Sequence, residues 1–336
     1  MRILFVRLSS FGDVVFALPA ARALRESAPD ATLAWAIEPP LAPIVVGAPF
    51  VDEVLEVNTR GWRRSIAAPS TRSEIRILLR RGRELRPDLV VDAQGLFKSA
   101  LVTASVSAPR KVGFGWRTAT ERVNCLSTRE HVDPADRPHV VDRMLALAEH
   151  VTGGAGFDRV PDVKHLVERE DLAVDEWLER FGTRPFAVLQ PFSSKANKEW
   201  GAGDVIAFAE WLESEGIQPV LRWGPGEESR AEVLLNLSKN SSSSSLLLAP
   251  PTTPASTARL AARAAFFVGT DSGPTHLAAA AGTPTLALFG PTDPARFGPV
   301  GPRAAAFRAS PDDYNPGRGM GVPSDAALAE IDRLLA

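Results

Sequence analysis

The chain has 336 residues, 45% of them hydrophobic, and a formal net charge of −2. That length suits two domains of ordinary size, and the apolar content excludes a disordered chain. Near-neutral charge gives no whole-chain case for nucleic acid, and the lone Cys125 excludes an internal disulfide framework and fits a reducing compartment, the cytoplasm by default. At the start, Ile3 to Val6 is too short an apolar core for a signal peptide or a membrane span, and no later run reaches spanning length. Membrane contact is therefore expected to be peripheral, through charge or a few exposed apolar side chains.

The first half alternates two periodicities. Ile3 to Leu8 reads as a strand, Val14 to Arg25 as a helix, Thr32 to Ile37 as a strand, Ser73 to Leu85 as a helix, and Leu89 to Asp92 as a strand before a helix near Leu96. Met144 to Val151 closes this half with helical spacing. Residues 153–171 lose the pattern and carry Gly, Pro and charge, as a linker does. Alternation then resumes: Phe186 to Gln190 as a strand, Val205 to Glu213 as a helix, Pro219 to Trp223 as a strand, Glu227 to Leu237 as a helix, and Ala264 to Val268 and Pro284 to Phe289 as strands. The run Ser241 to Ser245 reads as a surface loop, and Asp325 to Leu335 as a closing helix. Strands alternating with helices predict an α/β chain with parallel sheets, here two Rossmann-like domains, 1–160 and 161–336, facing each other across a cleft.

Three strand ends carry chemistry. After Val268 the chain turns through Thr270-Asp271-Ser272-Gly273-Pro274 into an Ala-rich helix beginning near Thr275, placing free N–H groups and the positive end of a helix dipole where α/β sheets bind ligands. A phosphate group is the natural guest. His276, in the first turn of that helix, is either a ligand contact or a satisfied structural histidine. After the first strand, Leu8-Ser9-Ser10-Phe11-Gly12-Asp13 occupies the matching place, and Asp13 either favours a helix start or accepts a proton in the cleft. After Gln190, Ser193, Ser194, Lys195 and Lys198 offer hydroxyls and charge suited to a diphosphate, or form a solvated loop. Glu227, at the next strand-to-helix turn, either bonds ribose hydroxyls or favours the helix dipole.

Absences narrow the classes. The sequence has no P-loop, no complete G-x-G-x-x-G after the first strand, no H-E-x-x-H and no G-x-S-x-G. His131, His139, His150, His165 and His276 lack metal-ligand spacing, and no Asp-x-Asp pair is present to hold a divalent ion on a sugar diphosphate. Between Arg60 and Arg86, nine Arg face only Glu74 and Glu84, which reads either as a solvated face or as a site for an anionic partner.

Over nearly its whole length the chain resembles the lipopolysaccharide heptosyltransferases, inverting glycosyltransferases of GT-B fold that use ADP-heptose. The resemblance is carried by Leu8-Ser9-Ser10-Phe11-Gly12-Asp13-Val14, by Asp92 to Ala100 (DAQGLFKSA), by Gly113 to Ala119 (GFGWRTA), by Lys198-Glu199-Trp200, and by Asp271 to Ala280 (DSGPTHLAAA). The second and third of these look like heptosyltransferase I; the second heptosyltransferase usually has Asn-Ser where Gln94 and Gly95 stand. The resemblance implies Asp13 as catalytic base, with Ser10 beside it on the acceptor side. It implies donor contacts at Ser193, Ser194, Lys198, Glu227, Asp271, Ser272, Gly273 and His276, with Asp271 on heptose hydroxyls. Contacts to the anionic Kdo sugars fall on Arg60, Arg63, Arg64 and Lys98. The family often has Arg where this chain has Thr120, so Arg117 or Arg122 takes that part. The implied reaction moves heptose from ADP-heptose to the Kdo of Kdo2-lipid A on the cytoplasmic face of the inner membrane, with no cofactor and no metal. Heptosyltransferase II or a later-core transferase is the alternative within enzymes, and a non-catalytic nucleotide-sugar or lipid A-binding protein the alternative outside them.

Overall fold

Apolar runs such as Ile3 to Val6 and Phe186 to Leu189 suit strands buried on both faces, which is what a parallel sheet covered by helices requires. The structure, a computed structural model, describes residues 1–65, 68–240, 246–309, 314–315, 319–320, 329–331 and 333–334. Ser241 to Ser245 and most of the expected helix from Asp325 to Leu335 lie outside the described residues. The chain divides into two compact units, Met1–Arg159 and Val160–Ala336.

The first unit has strands β1 (Arg2–Val6), β2 (Thr32–Ile37), β3 (Glu53–Glu56), β4 (Leu89–Asp92), β5 (Arg110–Phe114) and β6 (Glu130–Val132), all parallel, in the order β3-β2-β1-β4-β5-β6. Helices α1 (Phe11–Ser27), α2 (Thr59–Arg64), α3 (Pro69–Leu85), α4 (Phe97–Ser105) and α5 (Val140–Thr152) connect or follow them. Leu78 and Leu85 of α3, Val102 of α4 and Val106 just beyond it join Leu4, Val6 and Val90 in one core cluster, while Ile3 and Phe5, which alternate with Leu4 and Val6, are buried as well. Gly82 lets α3 approach the residue just past α4: a Cβ there would lie 2.9 Å from Val106 Cγ2.

The second unit repeats the plan. Its strands are β7 (Phe186–Gln190), β8 (Gln218–Leu221), β9 (Leu247–Leu248), β10 (Phe266–Thr270), β11 (Thr285–Phe289) and β12 (Ala304–Arg308), all parallel, in the order β12-β11-β10-β7-β8-β9. Helices α6 (Lys164–Val167), α7 (Leu172–Phe181), α8 (Ala202–Ser214), α9 (Glu228–Asn240), α10 (Pro254–Arg263), α11 (Gly273–Ala280) and α12 (Pro294–Phe297) accompany them. Trp200 and Phe208 pack in the core with ring centroids 5.3 Å apart, so Trp200 is a packing residue. Tyr314–Asn315 and Gly319–Met320 form a short antiparallel pair.

Each sheet therefore has one place where consecutive connections leave in opposite directions: between β1 and β4, and between β7 and β10. Ligands of open α/β sheets bind outside the carboxyl ends of the strands at such a point. In the first unit a buried carboxylate shapes this edge. Asp92, at the end of β4, accepts hydrogen bonds from Gln94 N (3.0 Å), Gly95 N (3.1 Å), Thr103 Oγ1 (3.1 Å) and Asn124 Nδ2 (2.7 Å). Those bonds turn the chain through Gly95 at φ +69, the left-handed conformation that Gly adopts without strain. Replacing Asp92 by Asn removes a charged acceptor from four donors, and we expect it to destabilise the first unit by about 1–3 kcal/mol. The measurement is the urea midpoint, which should fall with an unchanged slope; an unaltered midpoint contradicts this account of the turn.

Candidate functional site

At the β1 edge, Ser10 precedes α1 in extended conformation, and its N and Oγ both donate to Asp13 Oδ2, at 3.1 and 2.7 Å. The other oxygen, Asp13 Oδ1, lies 2.9 Å from Arg7 Nη2. Arg7 is buried and anchored in turn, Nη1 donating to Ala93 O at the end of β4 at 2.7 Å. Burial pushes the Asp13 carboxyl upward, but the charge of Arg7 and the bonds from Ser10 outweigh it and leave the pKa below the ordinary value. The group is thus ionised at neutral pH, with lone-pair capacity left on Oδ1.

The neighbouring loop is locked to this one. Gln94 Oε1 accepts from Leu8 N at 2.6 Å, and Gln94 Nε2 donates to Ser9 O at 3.0 Å, which explains why an amide rather than a charge stands in the DAQGL string. Lys98 Nζ bonds Ser9 Oγ and lies 3.8 Å from Glu38 Oε1, an oxygen that also takes the Thr59 hydroxyl. Ser10, Asp13 and Lys98 are therefore together at one sheet edge. The GFGWRTA segment and the residues after it reach the same loop: a Cβ on Gly95 would lie 3.2 Å from Phe114 Cδ2 and 3.6 Å from Ala119 Cα, and Glu121 N donates to Gly95 O at 2.9 Å. Arg117 and Arg122 flank that contact and are exposed. Arg60 is exposed on α2, while the side chains of Arg63 and Arg64 lie outside the described residues. On α3, Arg72, Arg76, Arg80, Arg81 and Arg83 are exposed, as is Arg86 just beyond it.

In the second unit the β10 edge is organised by Asp271. Its Oδ2 takes Lys198 Nζ at 2.5 Å and Thr292 Oγ1 at 2.6 Å, and its Oδ1 lies 3.1 Å from His276 Nε2. Burial raises the carboxyl pKa, but His276, Lys198 and Thr292 together hold it far below the usual range. Two residues expected from the sequence to contact the donor separately are thus paired with each other, across 73 positions of chain. His276 faces Asp271 rather than standing alone. Ser272 caps the start of α11, its Oγ 3.2 Å from Thr275 Oγ1, and Thr275 Oγ1 donates to Thr270 O at 2.7 Å; Gly273 opens the helix.

At the end of β7, Ser193 is buried and accepts from Lys195 N at 3.5 Å, whereas Ser194 is exposed. Thr270 Oγ1 donates to Phe192 O at 3.0 Å, tying this loop to the Asp271 loop. Glu227 sits at the turn after β8 and is held by Gly224 N and Arg222. Ser193, Ser194, Lys198, Asp271, Ser272, Gly273 and His276 all lie at the β7/β10 edge, with Glu227 beside it in the turn after β8. Sequence reading missed Arg7, Glu38 and Arg222. The signal for each was a charge at the carboxyl end of an apolar run, Arg7 and Arg222 within expected strands and Glu38 directly after one, a position that usually means solvent. Among the described residues no group of three or more His, Cys, Asp or Glu is arranged to hold a metal ion, and no helix is long and apolar enough to cross a membrane.

A family model for glycosyltransferase family 9 (heptosyltransferase) matches residues 76–321. Lipopolysaccharide heptosyltransferase 1 of Salmonella typhimurium is 30% identical over 308 residues, covering 90% of this chain and 92% of its own. Among solved structures, E. coli heptosyltransferase WaaC with ADP superposes with a TM-score of 0.84 at 27% identity, over 99% of this chain and 100% of its own. WaaC with ADP-2-deoxy-2-fluoro heptose gives a TM-score of 0.82 at 27% identity, over 99% of each chain. The match of the family model over most of the chain and the Salmonella relative at 30% identity show that the chain belongs to glycosyltransferase family 9, the heptosyltransferases.

Proposed function

We propose that the chain transfers heptose from ADP-heptose to a Kdo hydroxyl of Kdo2-lipid A, as a heptosyltransferase I, with inversion and without a metal ion. The observation that carries this reading is Asp13, ionised and fixed between Arg7 and Ser10 at the switch point of the first sheet. A sugar hydroxyl is a poor nucleophile, so a fixed carboxylate within hydrogen-bond reach must take its proton as it attacks the anomeric carbon. One displacement from the face opposite ADP gives inversion. The WaaC structures with ADP and a fluorinated ADP-heptose support the choice of donor, and the relative named lipopolysaccharide heptosyltransferase 1 supports the place of the reaction within the family.

Charge develops on the departing diphosphate. Lys198 can meet it while still bound to Asp271, since an ammonium has three donors and this pair occupies one. Ser193, Ser194 and the first-turn N–H groups of α11 beyond Ser272 and Gly273 supply the remainder. Asp271 keeps lone pairs for heptose hydroxyls, and Glu227 for ribose.

On the acceptor side Lys98, with Arg60, Arg63, Arg64, Arg117 and Arg122, would meet the Kdo carboxylates and lipid A phosphates. Exposed Phe97 and Leu101 share one face of α4, beside exposed Val123 and Leu126 on the 3-10 turn that packs against it. Apolar side chains flanked by exposed Arg117 and Arg122 suit peripheral contact with an anionic bilayer, here the cytoplasmic face of the inner membrane.

The direct assay presents Kdo2-lipid A in phosphatidylglycerol vesicles with ADP-heptose. We expect the protein to pellet with the vesicles, and the product to gain one heptose in the anomeric configuration opposite to the donor's. An acceptor already bearing the first heptose should not be used. Preference for that heptosylated acceptor would replace this reading with the second enzyme of the family. A second expectation concerns the metal: activity should persist in excess EDTA. Loss on chelation that magnesium or manganese restores would mean that the diphosphate charge is met by an ion rather than by Lys198 and α11.

A further inference from the structure

The chain leaves β8 through Arg222, whose side chain turns inward despite its charge and is only 4% exposed as a residue. Its Nη1 donates to Gln190 Oε1, at the end of β7, at 2.9 Å and to Glu227 Oε2 at 3.2 Å. Gln190 passes the connection on, Nε2 donating to Phe192 O at 2.9 Å, the same carbonyl that takes Thr270 Oγ1 at 3.0 Å. One guanidinium is thereby joined to the ends of three neighbouring strands, β8, β7 and β10, and to the loop that carries Ser193 and Lys198. Gly224 makes room for it: a Cβ there would lie 2.8 Å from Arg222 Nη2.

Burial pushes the guanidinium pKa down to about 10, still far enough above neutrality to leave it charged. A charge at this depth needs a partner. Among the described residues Glu227 is the carboxylate that supplies one, and Arg222 and Gly224 N (2.9 Å) both hold it through the same oxygen, Oε2. Glu227 Oε1 makes no hydrogen bond among the described residues, and the side chain is 19% exposed. The carboxylate is therefore fixed by one oxygen and available through the other.

We propose that Arg222 is a positioning residue for nucleoside recognition, pinning Glu227 through Oε2 so that Oε1 accepts from a ribose hydroxyl of the donor nucleotide. This rests on the reading of Glu227 as the ribose-binding acid. An untethered glutamate gives up side-chain entropy on meeting a sugar and is satisfied equally well by water, whereas a pinned one discriminates for the hydroxyl. The planar fork of an arginine suits a bridge between an amide and a carboxylate; a lysine would offer a single point charge.

The test is titration calorimetry with ADP, 2′-deoxy-ADP and 3′-deoxy-ADP on the full chain and on the variants Glu227→Gln, Arg222→Met, Arg222→Lys and Gly224→Ala. The wild type should bind ADP about tenfold more tightly than at least one deoxy analogue, because a site built to bond a hydroxyl rejects the ligand that lacks it. Glu227→Gln and Arg222→Met should both bring that ratio to within about twofold of unity, with Arg222→Lys in between. The ratio compares two ligands on one protein, so a general loss of stability does not move it. Should Arg222→Met fail to fold, Gly224→Ala crowds Nη2 while leaving both partners in place and should lower the ratio in the same way. A ratio lost in Glu227→Gln but kept in Arg222→Met and Gly224→Ala overturns the positioning role alone. A wild type without any preference removes the ribose role of Glu227, and the inference with it.

Discussion

Both candidate sites depend on an ion pair in which a carboxylate beside one strand end is held by a cation from another part of the same edge. Arg7 holds Asp13 in the first unit, and Lys198 holds Asp271 in the second. A parallel sheet makes such pairs necessary, because all its strands end on one side and the polar groups there have no further ladder partner. Burial alone would raise the pKa of both carboxylates. In both cases the pairing and the added hydroxyl donors win, Ser10 on Asp13 and Thr292 on Asp271, so that each stays ionised. The same pairs fix the loops in space: Arg7 spans from Asp13 to Ala93 O, and Lys198 reaches from the β7 loop to the β10 loop.

Around these pairs the two units repeat one arrangement with different chemistry. The first unit places the Asp13 carboxylate beside Lys98 and, through Gln94, locks the β1 and β4 loops together. The second places a helix N-terminus and hydroxyls beside Asp271, and through Gln190 and Phe192 O locks the β7 and β10 loops. In each case a buried amide side chain at or just beyond the end of a central strand does the joining. An amide can both donate and accept, and it joins two backbones without the desolvation cost of a charge. This division of labour is what a transfer between a nucleotide sugar and a hydroxyl requires.

Much of this was legible in the sequence. Thr32–Ile37, Leu89–Asp92 and Phe186–Gln190 are strands as the apolar runs indicate, and Asp13 and Asp271 stand at the strand-to-helix turns that their motifs mark. Other strands escaped notice because short segments at or next to the sheet's edges, such as Glu53–Glu56, Arg110–Phe114 and Glu130–Val132, mix charge with few apolar positions. The stretch read as a linker contains the short helix Lys164–Val167, one turn that periodicity cannot register. Arg7, Glu38 and Arg222 were missed for a different reason. A charged residue following an apolar run looks solvent-facing, and its burial depends on partners far along the chain: Ala93 for Arg7, Lys98 and Thr59 for Glu38, Gln190 for Arg222. The Lys198–Asp271 pair was hidden likewise, since both residues were visible and their contact was not.

The claim at the centre of this account is that Asp13 takes the proton from the acceptor hydroxyl. Its most direct measurement is the turnover of Asp13→Asn with ADP-heptose and Kdo2-lipid A, alongside ADP binding to the same protein. Asparagine keeps an oxygen for Ser10 but has no charge for Arg7 and is too weak a base to accept a proton. The account predicts that ADP affinity is retained and that kcat falls by about 10²-fold or more. Near-normal turnover in a folded, ADP-binding Asp13→Asn protein would contradict it.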